Sequence, residues 1–98
     1  MVNFGEKLKT LRKEYGLTQQ DLAQRLNVTK SVVSYYELQE RTPSAEILVK
    51  LSQIFHVSCD YLLGFENRKT IDVSDLSEED LHFILITIET LRKKNKEN

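Results

Sequence analysis

The chain has 98 residues, 40% hydrophobic and 30% charged, enough for one small globular domain with an appended element and too few for a large substrate cavity. A formal charge of −1 carries no global signature of a nucleic-acid binder, so any such role has to rest on where the charges sit. One cysteine, Cys59, excludes an intramolecular disulfide and a multi-cysteine zinc site. The N-terminus MVNFGEKLK lacks the apolar run of a signal peptide, and no stretch approaches the ~20 apolar residues of a membrane span, so the expectation is a cytoplasmic chain with no membrane partner.

With three Gly, one Pro and no clean alternation of β-branched and polar residues, the pattern is all-α. Asn3 precedes Phe4, Leu8 and Leu11, with Glu6 three residues on as in a capping box; Gly16 closes this first helix. Thr18 opens the second, Asp21 completes its box, Leu22, Ala23 and Leu26 form its buried stripe, and Asn27 ends it. Thr29 caps a third helix over residues 30–37 with Val33 and Tyr36 inward. A fourth starts from Ser44 after Pro43 and runs to Phe55, burying Ile47, Leu48, Leu51, Ile54 and Phe55. Ser58 caps a short fifth helix, CDYLL, which Gly64 stops.

RLNVTKS and IFHVSCD echo one another as helix end, turn and helix start, with Asn27 and His56 at the left-handed position. Shared turn chemistry explains this echo, and no repeat array is implied. The stretch FENRKTIDVSDL reads as a linker of solvated charges. Ser77 opens a sixth helix with Asp80 as reciprocal cap, Glu78 and Glu79 in its first turn and Arg92, Lys93 and Lys94 in its last. The expected organisation is a domain over residues 1–65, a linker over 66–76 and an amphipathic helix over 77–98.

On a helical wheel that points Val33 and Tyr36 inward, Ser31 and Tyr35 point outward, Val32 and Ser34 flank them, and Lys30 projects from the N-terminus. A cation, two hydroxyls, a phenol and an exposed valine suit base edges and thymine methyl groups in a major groove. The alternative for any one of these residues is an ordinary solvated face, but adjacent exposed Val and Tyr call for a partner. The second helix, beginning at Thr18 and Gln19, offers free N–H groups to a phosphate.

The run LRKEYGLTQQDLAQRLNVTKSVVSYYE, followed by RTPSAEILVKLSQIFHVSCDYLLG, resembles the Cro and lambda-repressor-like (XRE) helix-turn-helix family over roughly residues 4–66. The resemblance implies a five-helix DNA-binding domain in which Lys30, Ser31, Val32 and Tyr35 face bases, Gln19 and Ser34 contact phosphate, and Arg12 pairs with Glu37. Where the family favours Gly, this chain has Asn27, Gln39 and His56; where many relatives carry a basic residue it has Glu40. That leaves Arg41, with Thr42, as the phosphate contact of the loop. Residues 1–66 carry eight Lys or Arg and eight Asp or Glu, so few phosphate contacts and a modest salt slope are expected.

On the sixth helix Leu81, Ile84, Leu85, Ile88 and Leu91 form one stripe, with Phe83 and Ile86 off it. This is more apolar arc than one small domain needs, and it implies a dimerisation helix, with higher assembly left open. The alternative is a helix folded wholly onto its own core.

His56 and Cys59, three apart, do not complete a metal site, and no cofactor or catalytic set is expected. His82 on the sixth helix has nothing beside it that would make it a pH switch. The sequence thus reads as a regulator binding double-stranded DNA, most simply a repressor on an inverted repeat as a homodimer, controlled by concentration, a protein partner or proteolysis. An antitoxin, a restriction-modification controller and a protein-interaction module with weak DNA binding are the alternatives; enzymes are excluded.

Overall fold

The computed structural model describes residues 4–65 and 70–97. The Asn3 cap and linker residues 66–69 lie outside them. Among the described residues there are six helices and no strand: α1 (Phe4–Glu14), α2 (Gln19–Leu26), α3 (Lys30–Glu37), α4 (Ala45–Phe55), α5 (Cys59–Leu63) and α6 (Glu78–Glu97).

The caps sit where the sequence places them. The Thr18 hydroxyl accepts from Asp21 N–H at 3.0 Å and the Asp21 carboxylate accepts from Thr18 N–H at 2.9 Å. These bonds hold the Asp21 carboxyl below its ordinary pKa, the backbone N–H of Thr18 being the larger cause and its hydroxyl the next. Thr29, Ser44 and Ser58 cap α3, α4 and α5 in the same forward sense, each accepting from the third helical N–H. Asn27, Gln39 and His56 all adopt positive φ, at 58°, 60° and 54°. At each of them the side chain meets the Cβ crowding that a glycine would avoid in this region of φ.

The core is built from one or two apolar residues per turn of each body helix. Phe4, Leu8 and Leu11 of α1 meet Leu22, Ala23 and Leu26 of α2, Val33 and Tyr36 of α3, Leu51 and Phe55 of α4, and Leu62 of α5. Ile47, Leu48 and Ile54, expected inside, are only partly buried and flank the core. Tyr15 packs edge-on against Phe55 with ring centroids 5.2 Å apart and donates its hydroxyl to the Phe55 carbonyl at 2.9 Å. Lys7 donates to the Tyr61 carbonyl at 2.9 Å, so α1 is tied to both α4 and α5.

Beyond the body, residues 70–77 are not simply solvated linker. The Asp72 N–H donates to the His56 carbonyl at 2.9 Å, and the Asp72 carboxylate accepts from Ser74 N–H at 2.9 Å. The first bond docks the segment before α6 against His56, the residue that closes α4. The Ser77 hydroxyl accepts from Asp80 N–H at 3.1 Å, and α6 runs to Glu97 with Lys94 and Lys96 in its last turn, where they complement the helix dipole. The sixth helix is not folded wholly onto the core: Leu81 and Ile84 are half-buried, while Phe83, Leu85, Ile86, Ile88 and Leu91 are exposed. Among the described residues no helix is long and apolar enough to cross a membrane.

Candidate nucleic-acid interface

The α2–α3 pair is held at a fixed angle by a polar cluster beneath its surface. Arg12 of α1 donates through Nε to Glu37 Oε2 at 2.6 Å and through Nη2 to Oε1 at 3.2 Å, and its Nη1 donates to the Leu17 carbonyl at 2.9 Å. Gln19 Nε2 donates to the same Glu37 Oε1 at 3.1 Å. The side chains of Arg12 and Glu37 are 10% and 4% exposed. One carboxylate therefore joins the last turn of α1, the first turn of α2 and the end of α3, and a two-pronged guanidinium fixes its plane as well as its position.

A second lock lies at the other end of α1. Gly5 approaches α3 so closely that an added Cβ would fall 2.1 Å from the Glu37 carbonyl oxygen. The Gly5 N–H donates to Gln39 Oε1 at 3.0 Å. The strained Gln39 thus uses its side chain to satisfy a first-turn amide that has no partner inside its own helix, and it fastens the loop after α3 to α1. The sequence marks Gln39 only as a departure from the glycine the resemblance implies and does not reveal this role; Gly5 carries no signal, since a glycine in a helix's first turn looks ordinary until the neighbouring backbone is in place.

With those locks set, α3 presents Lys30, Ser31 and Tyr35 to solvent, with Ser34 half-buried beside them. Two expectations need correction. Val32 is not an exposed valine: it is half-buried against the core, because the crowded α2–α3 contact closes over that flank. Tyr35, 38% exposed, is not bare either, since the Arg41 guanidinium lies over its ring, 5.2 Å from the centroid. The Tyr35 carbonyl also accepts from the N–H groups of Glu40 and Arg41, at 2.8 and 3.3 Å. The loop cation is thereby placed directly beside the outward face of α3, and Thr42 follows it, exposed.

At α2, Thr18 is exposed and Gln19 half-buried. The capping box uses the hydroxyl and N–H of Thr18, leaving the amides of the first two helical residues, Gln19 and Gln20, without intrahelical acceptors. A side-chain amide has two N–H donors; Glu37 takes one from Gln19. Cys59 is engaged elsewhere, its thiol donating to the Leu48 carbonyl of α4 at 3.8 Å.

The comparisons with known proteins fall on the same segment. Residues 8–62 match the family described as Helix-turn-helix. The transcriptional regulator ImmR of Bacillus subtilis is 39% identical over 80 residues, covering 82% of this chain and 59% of ImmR; the chain therefore spans about three fifths of that relative's length. Among solved structures, the P22 c2 repressor in complex with a synthetic operator is 32% identical, covers 60% of this chain and 89% of that one, and superposes with a TM-score of 0.58. A complex of SinR protein with SinI protein matches at 28% identity and a TM-score of 0.59, covering 93% of this chain and 98% of that one. ImmR is thus a helix-turn-helix transcriptional regulator and the P22 c2 protein a repressor bound to operator DNA.

Proposed function

We propose that this chain, which belongs to the helix-turn-helix family and within it to the lambda-repressor-like (XRE) group, is a sequence-specific DNA-binding transcriptional repressor acting as a homodimer on an inverted-repeat operator. The observation that carries the reading is the outward face of α3: Lys30, Ser31 and Tyr35 stand free of the core on a helix that the Arg12–Glu37–Gln19 cluster holds rigidly against α1 and α2.

In this reading α3 enters the major groove and Lys30, Ser31, Val32 and Tyr35 meet base edges, Val32 through the part of its side chain the core leaves open. Thr18, Gln19, Ser34, Arg41 and Thr42 contact phosphates on either side and set the register. Glu37 positions the Gln19 amide so that its second N–H is left for a phosphate oxygen. Arg41, lying over the Tyr35 ring, couples one backbone contact to one base-reading side chain. Because the charged groups are few, affinity falls with salt on a shallow slope.

The dimer is formed through α6, using Leu81, Phe83, Ile84, Leu85, Ile86, Ile88 and Leu91, and it presents two α3 helices about 34 Å apart, one turn of DNA. Control comes from concentration or a protein partner at the nucleoid in the cytoplasm; the SinR protein/SinI protein complex supports a protein partner. A second reading, a protein-interaction module with weak DNA binding, is favoured by the exposed apolar side chains of α6. An antitoxin or restriction-modification controller would use the same face.

Selection of bound sequences from a random duplex library at two salt concentrations tests the proposal. One enriched palindrome of fixed spacing is expected, bound by Tyr35→Ala or Lys30→Ala about 1 to 3 kcal/mol more weakly with an unchanged melt. No enrichment, with binding lost at moderate salt, would move the function to the interaction module.

A further inference from the structure

We infer that Arg41 helps to determine sequence specificity: lying over the Tyr35 ring, it holds the phenol in the orientation that reads a base, although it touches no base itself. The inference rests on the DNA-binding reading above and deepens it, giving a backbone-contacting cation a share in the choice of sequence.

The geometry begins with the path of the chain after α3. Gln39, at φ 60°, turns the chain back toward the helix, and its side chain accepts from the Gly5 N–H at 3.0 Å. Pro43 is buried, and its ring fixes its own φ, so it anchors the far end of the loop. Between these anchors the N–H groups of Glu40 and Arg41 both donate to the Tyr35 carbonyl, at 2.8 and 3.3 Å. The backbone of residue 41 is therefore set relative to that of residue 35, and only side-chain torsions remain to be decided.

Those torsions bring the two side chains together. The Arg41 guanidinium carbon lies 5.2 Å from the Tyr35 ring centroid. Among the described residues no carboxylate pairs with Arg41, the adjacent Glu40 included, and the Tyr35 hydroxyl has no hydrogen-bond partner. The cation is thus committed to the ring, and the phenol oxygen is left for a base edge. A cation over an exposed ring favours the covered orientation by about two- to fivefold. That bias acts before a base arrives, so a base that suits this orientation is bound with less loss of side-chain freedom. A base that needs another orientation has to displace the guanidinium first. A guanidinium in contact with a ring still keeps N–H donors for a phosphate oxygen, so one side chain serves the DNA backbone and the base reader together.

Selection from the random duplex library, repeated with Tyr35→Ala, Arg41→Ala and the double variant, tests this. All three should melt with the unsubstituted chain, because both side chains are exposed. Tyr35→Ala marks the base pair of each half-site that Tyr35 reads, as the one whose preference relaxes. Arg41→Ala should relax the preference at that same base pair by about two- to fivefold and make the salt slope shallower by about 0.9. In the double variant that base pair should be no more relaxed than in Tyr35→Ala alone. Equal weakening of every sequence by Arg41→Ala, with that preference intact, would overturn the inference and leave base reading by Tyr35 standing. Further relaxation of that base pair in the double variant would overturn it too, since Arg41 would then read the base directly. If Tyr35→Ala alters no base preference, or the unsubstituted chain enriches no sequence, the reading above falls and the inference falls with it.

Discussion

The inward leucines of the body and the stripe leucines of α6 are equally apolar, yet they have opposite fates. Leu8, Leu22, Leu51 and Leu62 have no exposed surface, whereas Leu85 and Leu91 keep more than half of theirs. The body achieves this with helices of eight to eleven residues and one of five, crossing at short turns, so that each buries its stripe against two neighbours. The 20-residue α6 leaves the body behind after its first turns, and only Leu81 and Ile84 find partial cover. A stripe of the right period is thus sufficient for a helix and insufficient for a core; the neighbour has to exist.

The sharpest way to break that contrast is at the polar lock. Arg12→Ala strands a carboxylate that is almost fully enclosed, and the loss should be about 3 to 5 kcal/mol of unfolding free energy in a denaturant titration. A melt that did not move would mean the cluster is not what holds the body together.

Next come the leucines themselves. Leu22→Ala should cost about 2 to 5 kcal/mol through a lost side chain and the cavity left behind. Leu91→Ala should stay within about 0.5 kcal/mol of the unsubstituted chain at the lowest measurable concentration, as exposed sites usually do. Any larger effect should grow with protein concentration, because it would come from the dimer. Equal losses for the two would erase the distinction between body and α6.

A smaller effect separates the strained turns. His56→Gly relieves a left-handed residue that is exposed and should stabilise by about 1 kcal/mol. Gln39→Gly relieves similar strain but removes the acceptor of the Gly5 N–H, so no net gain is expected in the same titration.

The smallest expected effect is a pH dependence. The Asp21 carboxyl is held below its ordinary value by Thr18, so its contribution is present above the unfolded carboxylate pKa, about 4, and fades as pH falls through the lower folded value. Asp21→Asn should therefore make the urea midpoint fall less steeply between neutral pH and pH 3. An unchanged slope would show the capping box to be electrostatically idle.

Much of this was legible in the residues because it is local. The caps at Thr18, Thr29, Ser44, Ser58 and Ser77 and the stops at Gly16, Asn27, His56 and Gly64 each depend on a few neighbours in the chain. The outward placement of Lys30, Ser31 and Tyr35 follows from Val33 and Tyr36 being inward. The Arg12–Glu37 contact, 25 positions apart, came from the family resemblance; spacing alone does not reveal it.

Other features depended on parts of the molecule that meet only on folding. The Gln39 bond to Gly5 spans 34 positions, the partial burial of Val32 depends on how tightly α2 closes on α3, and the Arg41 contact with Tyr35 depends on the path of a turn. The docking of residues 70–77 through the Asp72 bond to His56 likewise has no signature in a charged, aperiodic stretch.

By itself, then, the sequence determined the six helices, their ends, their faces and the surplus apolar arc of α6, because those follow from backbone hydrogen bonding and side-chain period within one or two turns. Only the tertiary structure decided which of those faces are covered, which polar side chains are spent on internal bonds and which remain for a partner. Burial and hydrogen-bond competition are set by groups that are distant in the chain and adjacent in space.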